Sequence, residues 1–220
     1  MKKLIEGIVK FQKILFKEHE KLFAGLANQQ NPEVLFITCS DSRIDPNLIT
    51  QTQPGDLFIC CNAGNIVPPH SLVTGGVTAS IEFGVNVLGV KHIVVCGHTD
   101  CGAMKGVMNP NSIKHLHHVS NWLANSAAAR AKVEAHNEVI SSENLLELTQ
   151  ENVILQLKHL ETHPAVAAKM ARNQLMLHGW VYDIGHGEIY CYEKDSGGFV
   201  PVAEHYAHIL AIPYNGAVAA

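Results

Sequence analysis

His92-Ile93-Val94-Val95-Cys96-Gly97-His98-Thr99-Asp100-Cys101-Gly102 is the stretch that decides the architecture of this chain. The apolar, β-branched run from His92 to Cys96 reads as a buried strand, and residues capable of chemistry follow at once. Working outward, a helix over 77–88 precedes this strand, and before it the turn Pro54-Gly55 introduces another strand over 57–61. Further back, Asn31-Pro32 leads into Leu35-Phe36-Ile37, a strand ending at Cys39. Asp45-Pro46 then sets a helix N-cap before a proline at the first helical position. Strands that alternate with helices predict a parallel sheet with right-handed crossovers, whose ligand sites lie beyond the carboxyl ends of the strands. Cys39 and His98 both fall there.

On the amino-terminal side, Leu4, Ile8, Phe11, Leu15, Leu22 and Leu26 recur at helical spacing and predict one long amphipathic helix over 4–26. On the carboxyl-terminal side the pattern predicts helices over 113–139 and 145–160, which should cover the sheet. Two late strands follow, over 175–183 and 188–192, joined by Gly185-His186-Gly187. The fold class is therefore α/β: a mostly parallel central β-sheet flanked by α-helices, with a long N-terminal helical arm. The 220 residues fit a single domain, with the arm over 1–30 and the α/β core over 33–220.

Composition narrows the function. With 47% hydrophobic and 16% charged residues the chain has ample core material. A net charge of −4 offers no broad attraction to phosphate backbones, so nucleic acid is not an expected partner. Charged residues interrupt every apolar run near the N-terminus, and no run approaches the roughly 20 residues a membrane span needs. The six cysteines sit in strands or polar motifs rather than in a disulfide framework. The expected location is the cytoplasm.

Two segments concentrate metal-competent side chains just after buried strands: Cys39-Ser40-Asp41-Ser42-Arg43 and His98-Thr99-Asp100-Cys101-Gly102. Either alone is compatible with an ordinary buried cysteine. Together, two thiolates and an imidazole suit zinc and leave one tetrahedral position open, the mark of a catalytic rather than a bracing site. Asp41 and Arg43 alone read as a surface ion pair. Beside a metal, Asp41 can accept a hydrogen bond from the bound water while Arg43 orients it.

Cys-x-Asp-x-Arg followed by His-x-x-Cys resembles the beta class of carbonic anhydrases. Gly55-Asp56-Leu57-Phe58, Asn62-Ala63-Gly64-Asn65, Glu151-Asn152-Val153-Ile154 and His178-Gly179-Trp180-Val181-Tyr182-Asp183 extend the resemblance over nearly the whole chain. It implies reversible hydration of carbon dioxide to bicarbonate and one Zn2+ per subunit, held by Cys39, His98 and Cys101. Asp41 and Arg43 become the catalytic dyad, with Asp41 a conditional fourth ligand. It implies further that Gln30 reaches a neighbouring subunit's site, that the Gly102 N–H contacts substrate, and that Phe58, Ala63 and Phe83 line a small apolar pocket. A homodimer or higher homo-oligomer follows.

One departure stands out. Cys61 replaces an arginine usual in the family before Asn-Ala-Gly-Asn, and Phe36 replaces a tryptophan that, with that arginine and a tyrosine matched here by Tyr182, forms an inhibitory bicarbonate site in one branch. With two of the three absent, the expected resting site carries water rather than Asp41. Zinc lowers the pKa of bound water toward about 7 and so makes a nucleophile. Two thiolates should weaken that effect, so activity should rise above neutral pH. His115, His117 and His118 are proton-shuttle candidates by type, but an exposed helical cluster is the stronger reading of these three. Three other readings remain: a phosphate loop framed by Gly97 and Gly102, which lacks the expected Lys-Ser/Thr; a non-catalytic zinc protein closed by Cys60 or Cys61; and the same scaffold acting on another triatomic such as carbon disulfide.

Overall fold

The computed structural model describes residues 1–71, 74–137 and 140–210. Its six-stranded sheet has the order β2-β1-β3-β4-β5-β6. The strands are β1 (Val34–Cys39), β2 (Leu57–Asn62), β3 (His92–His98), β4 (Met176–Asp183), β5 (Glu188–Glu193) and β6 (Gly198–Pro201). The first four lie parallel, and β5 and β6 add an antiparallel edge. The predicted mostly parallel sheet is present. The β6 strand and the helix Pro164–Met170 were not foreseen; the first is only four residues long and the second seven, too short to show a period.

Leu35, Ile37, Ile93 and Val95 point to one face of the sheet and are completely buried there with Val153 and Leu160 of the helix Leu145–Glu161. Phe36, Val94 and Cys96 alternate onto the other face, beside Trp180. Burial on both faces explains why β1 and β3 read as continuous apolar runs rather than alternating ones. After β1 the chain crosses to β2 on one side, and then to β3 on the other. The ends of β1 and β3 therefore flank a topological switch point, where the crevice of an open α/β sheet forms.

Two helical expectations need correction. The segment expected as one helix over 113–139 is broken into Pro110–Ile113, His117–Leu123 and Ala127–His136, and its last two positions lie outside the described residues. The break at Ser126 has a clear cause: that residue is fully buried and donates to Asn152 Oδ1 at 2.7 Å, which draws the chain inward. The arm is also not a straight helix. It runs from Lys2 through a π-turn at Phe11–Leu15 to a break at His19, then resumes over Glu20–Leu26. In a straight helix Phe11 and Phe23 would stand roughly 18 Å apart, yet their rings lie 5.8 Å apart, and Phe16 stacks on Phe23 at 5.2 Å. The arm folds back on itself around three phenylalanines. Leu4, Ile5, Ile8 and Ile14 remain 47–60% exposed on it.

Candidate active site

Cys39 closes β1, in register with Asn62 of β2. The chain then turns sharply, with the Ile44 N–H bonded to the Asp41 carbonyl at 3.0 Å. Asp45 caps the next helix, Pro46–Thr50, through Leu48 N–H at 3.2 Å, as the sequence predicts. His98 closes β3, and Cys101 stands at the N-cap of the helix Gly102–Met108. Two strand ends and one helix start thus deliver the side chains to a single crevice.

Cys39, His98 and Cys101 are buried, and their ligand atoms lie within 4.8 Å of one another. The two sulfurs are 4.0 Å apart. Ligands held at about 2.3 Å around a tetrahedral zinc stand roughly 3.8 Å apart, so the set fits that ion with little adjustment. His98 Nδ1 lies 2.9 Å from the Thr99 carbonyl and must donate to it, which leaves Nε2 with a lone pair. That Nε2 is buried with no hydrogen-bond partner. An orphaned buried acceptor facing two sulfurs fits a metal-binding group. Contact with the Cys101 sulfur, together with the Gly64 N–H at 3.4 Å, draws the Cys39 thiol pKa down; the same contact and burial push Cys101 up. Burial lowers the His98 pKa, but Cys39 and the Thr99 carbonyl outweigh it and the net shift is upward.

Asp41 Oδ2 stands 3.8 Å from His98 Nε2. Arg43 holds both carboxylate oxygens, Nε to Oδ1 at 2.9 Å and Nη2 to Oδ2 at 2.8 Å, and its backbone N–H adds a third contact at 3.0 Å. This fork keeps Asp41 well below the usual carboxylate range, so it remains an ionised acceptor. Gly102 is exposed, with nothing within 4 Å of where a Cβ would stand, and its first-turn N–H has no intrahelical acceptor.

A family model described as carbonic anhydrase matches residues 34–189. The chain belongs to the beta-carbonic anhydrase family. The carbonic anhydrase of Pseudomonas aeruginosa is 47% identical over 205 residues, which cover 93% of each protein. Carbonic anhydrase 1 of Escherichia coli O157:H7 is 44% identical over 220 residues, the full length of both. Among solved structures, the beta-carbonic anhydrase CcaA superposes with a TM-score of 0.89 at 43% identity, covering 91% of this chain and 98% of that one. A tetrameric beta-carbonic anhydrase of Sordaria macrospora gives a TM-score of 0.75 at 32% identity, covering 86% and 94%. The chain is thus an enzyme, a carbonic anhydrase, and the phosphate-loop and non-catalytic readings fall away. Among the described residues the three-ligand group gains no fourth sulfur: Cys60 packs into the core and Cys61 is exposed.

Not every residue expected in the pocket of this carbonic anhydrase meets the others. Ala63 is close, one residue beyond the Asn62 that pairs with Cys39, and its carbonyl accepts from Trp122 Nε1 at 2.9 Å. Phe58 instead pairs in register with Leu35, four residues and roughly 13 Å before Cys39. Phe83 packs against Phe58 at 6.0 Å, so the two rings form a patch away from this chain's own cluster. Gln30 is exposed in the connection after the arm. His115, His117 and His118 are exposed as well. Residues that the motif reading passed over take part in the site: the Thr99 carbonyl that sets the His98 tautomer, the Gly64 N–H on Cys39, and Asp100, whose carboxylate meets both Arg43 and Lys105. Gly64 and Thr99 lie in segments the motifs already marked, but only Asp100 carried a signal in its side chain, an acid between His98 and Cys101.

Proposed function

We infer that this carbonic anhydrase hydrates carbon dioxide reversibly with one zinc ion held by Cys39, His98 and Cys101. The observation that carries the reading is the buried, partnerless Nε2 of His98, aimed at two sulfurs with an ionised carboxylate 3.8 Å away. Bound zinc would supply a water acidic enough to react near neutral pH. Asp41, an acceptor and not a donor, would take a hydrogen bond from that water and so orient it toward the substrate, while Arg43 fixes the carboxylate. The Gly102 N–H polarises a substrate oxygen. Two thiolates make the site less acidic than a set of neutral imidazoles, and the hydration rate should rise between pH 6 and 9.

The separation of Phe58, Phe83 and Gln30 from this chain's own cluster, together with the exposed apolar arm, supports a homodimer or larger assembly in which these residues serve a neighbour's site. Ala63 then belongs to the wall beside the metal. Phe36, Cys61 and Tyr182 lie on the opposite face of the sheet from Cys39, and lacking the usual charge they favour a site that rests open rather than closed by Asp41. Six free thiols fit a cytoplasmic location, and no helix among the described residues is long and apolar enough to cross a membrane.

Stopped-flow carbon dioxide hydration combined with zinc analysis tests the assignment. The wild-type chain should hold one zinc and turn over. Asp41→Asn should keep its zinc and lose activity by roughly 10- to 100-fold. Bound zinc without turnover in the wild type would defeat the reading.

A further inference from the structure

Asp41 is close enough to compete for the metal. Two atoms bound to one tetrahedral zinc at about 2.0 to 2.1 Å stand roughly 3.4 Å apart, and Asp41 Oδ2 already lies 3.8 Å from His98 Nε2. A shift of a few tenths of an ångström separates a carboxylate that orients the nucleophile from one that displaces it. The Arg43 fork resists that shift, but Arg43 is itself 42% exposed and long, so the fork is only as firm as its own anchorage.

That anchorage comes from Asp100. Nη1 of Arg43 donates to Asp100 Oδ2 at 3.1 Å, and Nη2 donates to the Asp100 backbone carbonyl at 3.3 Å. The far carboxylate oxygen of Asp100 is paired with Lys105, one turn into the helix Gly102–Met108. Asp100 is held in the left-handed region at φ +58°, between the ligands His98 and Cys101. The loop that carries two metal ligands therefore also grips the far side of the guanidinium.

We propose that Asp100, steadied by Lys105, is a positioning residue that locks Arg43 and so keeps Asp41 off the metal. This rests on the site assignment above. The lock acts through geometry: with Asp100 in place, Nε and both terminal nitrogens are committed, and the fork on Asp41 has one orientation. Without it the guanidinium can rotate outward and carry away the restraint on Asp41.

Asp100→Asn and Asp100→Gly test this cleanly, because asparagine and glycine both tolerate a positive φ and neither adds backbone strain. Both variants should hold one zinc and melt near the wild type, and their kcat/KM should fall about tenfold, as for other partners that orient a metal site. Two further readouts separate positioning from mere support. The visible absorption of the Co2+-substituted protein should change as Asp41 enters the coordination sphere, and the Arg43 Nε–H should exchange with solvent faster in the metal-free protein. Lys105→Gln should move both readouts in the same direction by less. Unchanged Co2+ spectra and unchanged exchange overturn the proposal, as does an activity loss that merely follows lost zinc or a lower melting temperature. If the wild type itself lacked zinc or turnover, the site assignment would fail first; a normal wild type with indistinguishable variants sinks only the role of Asp100.

Discussion

Replacing Gly97 by alanine probes the point where the sheet, the helix Leu145–Glu161 and the Cys39–His98–Cys101 cluster meet. Gly97 directly precedes His98 on β3, and a Cβ added there would stand 2.9 Å from Val153 Cγ2 and 3.2 Å from Thr149 Cγ2. Carbon atoms pack best at about 3.5 to 4.0 Å, so the helix Leu145–Glu161 must retreat by roughly half an ångström or more. Neither neighbour can turn aside. Both are β-branched and stiff in a helix, both are at most 1% exposed, and the Thr149 hydroxyl is tied to the Leu145 carbonyl at 2.8 Å. The strand is pinned by its ladder with β4, so the helix is the part that moves. Overpacking of this kind costs about 1 to 3 kcal/mol, which for a chain of this length lowers the melting temperature by roughly 3 to 10 °C. Calorimetry on Gly97→Ala, Val153→Ala and the double variant measures it. Val153→Ala alone should cost about 2 kcal/mol by leaving a cavity, yet the double variant should lose clearly less than the sum, because each change relieves the other. Additive losses, or a Gly97→Ala protein that melts like the wild type, would refute the steric argument.

Two other outcomes can be checked by unfolding experiments. Asn152 is completely buried and accepts from Ser126 and Gln156 while donating to the Gly64 carbonyl at 3.1 Å; Asn152→Ala should cost about 3 kcal/mol in urea unfolding, since it strands buried polar groups, and should weaken zinc retention because Gly64 also donates to Cys39. His178 has its pKa pulled from 6.5 down to about 4 by burial, with His92 and His205 adding to it. A depressed histidine contributes stability that is complete above pH 6.5 and drains away as pH falls toward 4, about 3 kcal/mol in all. His178→Gln should flatten that acid slope, and an unchanged slope would show that other groups set it.

The order of strands and helices along the chain was legible because burial on both faces writes uninterrupted apolar runs, and because Asp45-Pro46 is a local cap that needs no distant partner. The cluster of Cys39, His98 and Cys101 was legible for a related reason: Cys39 and His98 end such runs and Cys101 follows His98 by three positions at a helix start, where a switch point brings strand ends together. The breaks in the helix expected over 113–139 and in the arm were not legible, since they depend on the burial of Ser126 against Asn152 and on the packing of Phe23 against Phe11, contacts between residues 26 and 12 positions apart. The same holds for the separation of Phe58 and Phe83 from Cys39, which is a matter of register along β1 and β2. Asp100 shows the division most sharply. Its place between two ligands was written in the chain, but its grip on Arg43 spans 57 positions and depends on a left-handed backbone turn that only the folded loop imposes. Residue types and short-range spacing determined which chemistry this protein could hold, whereas long-range packing decided which side chains meet, because contact between distant segments follows from their shared burial and not from any local pattern.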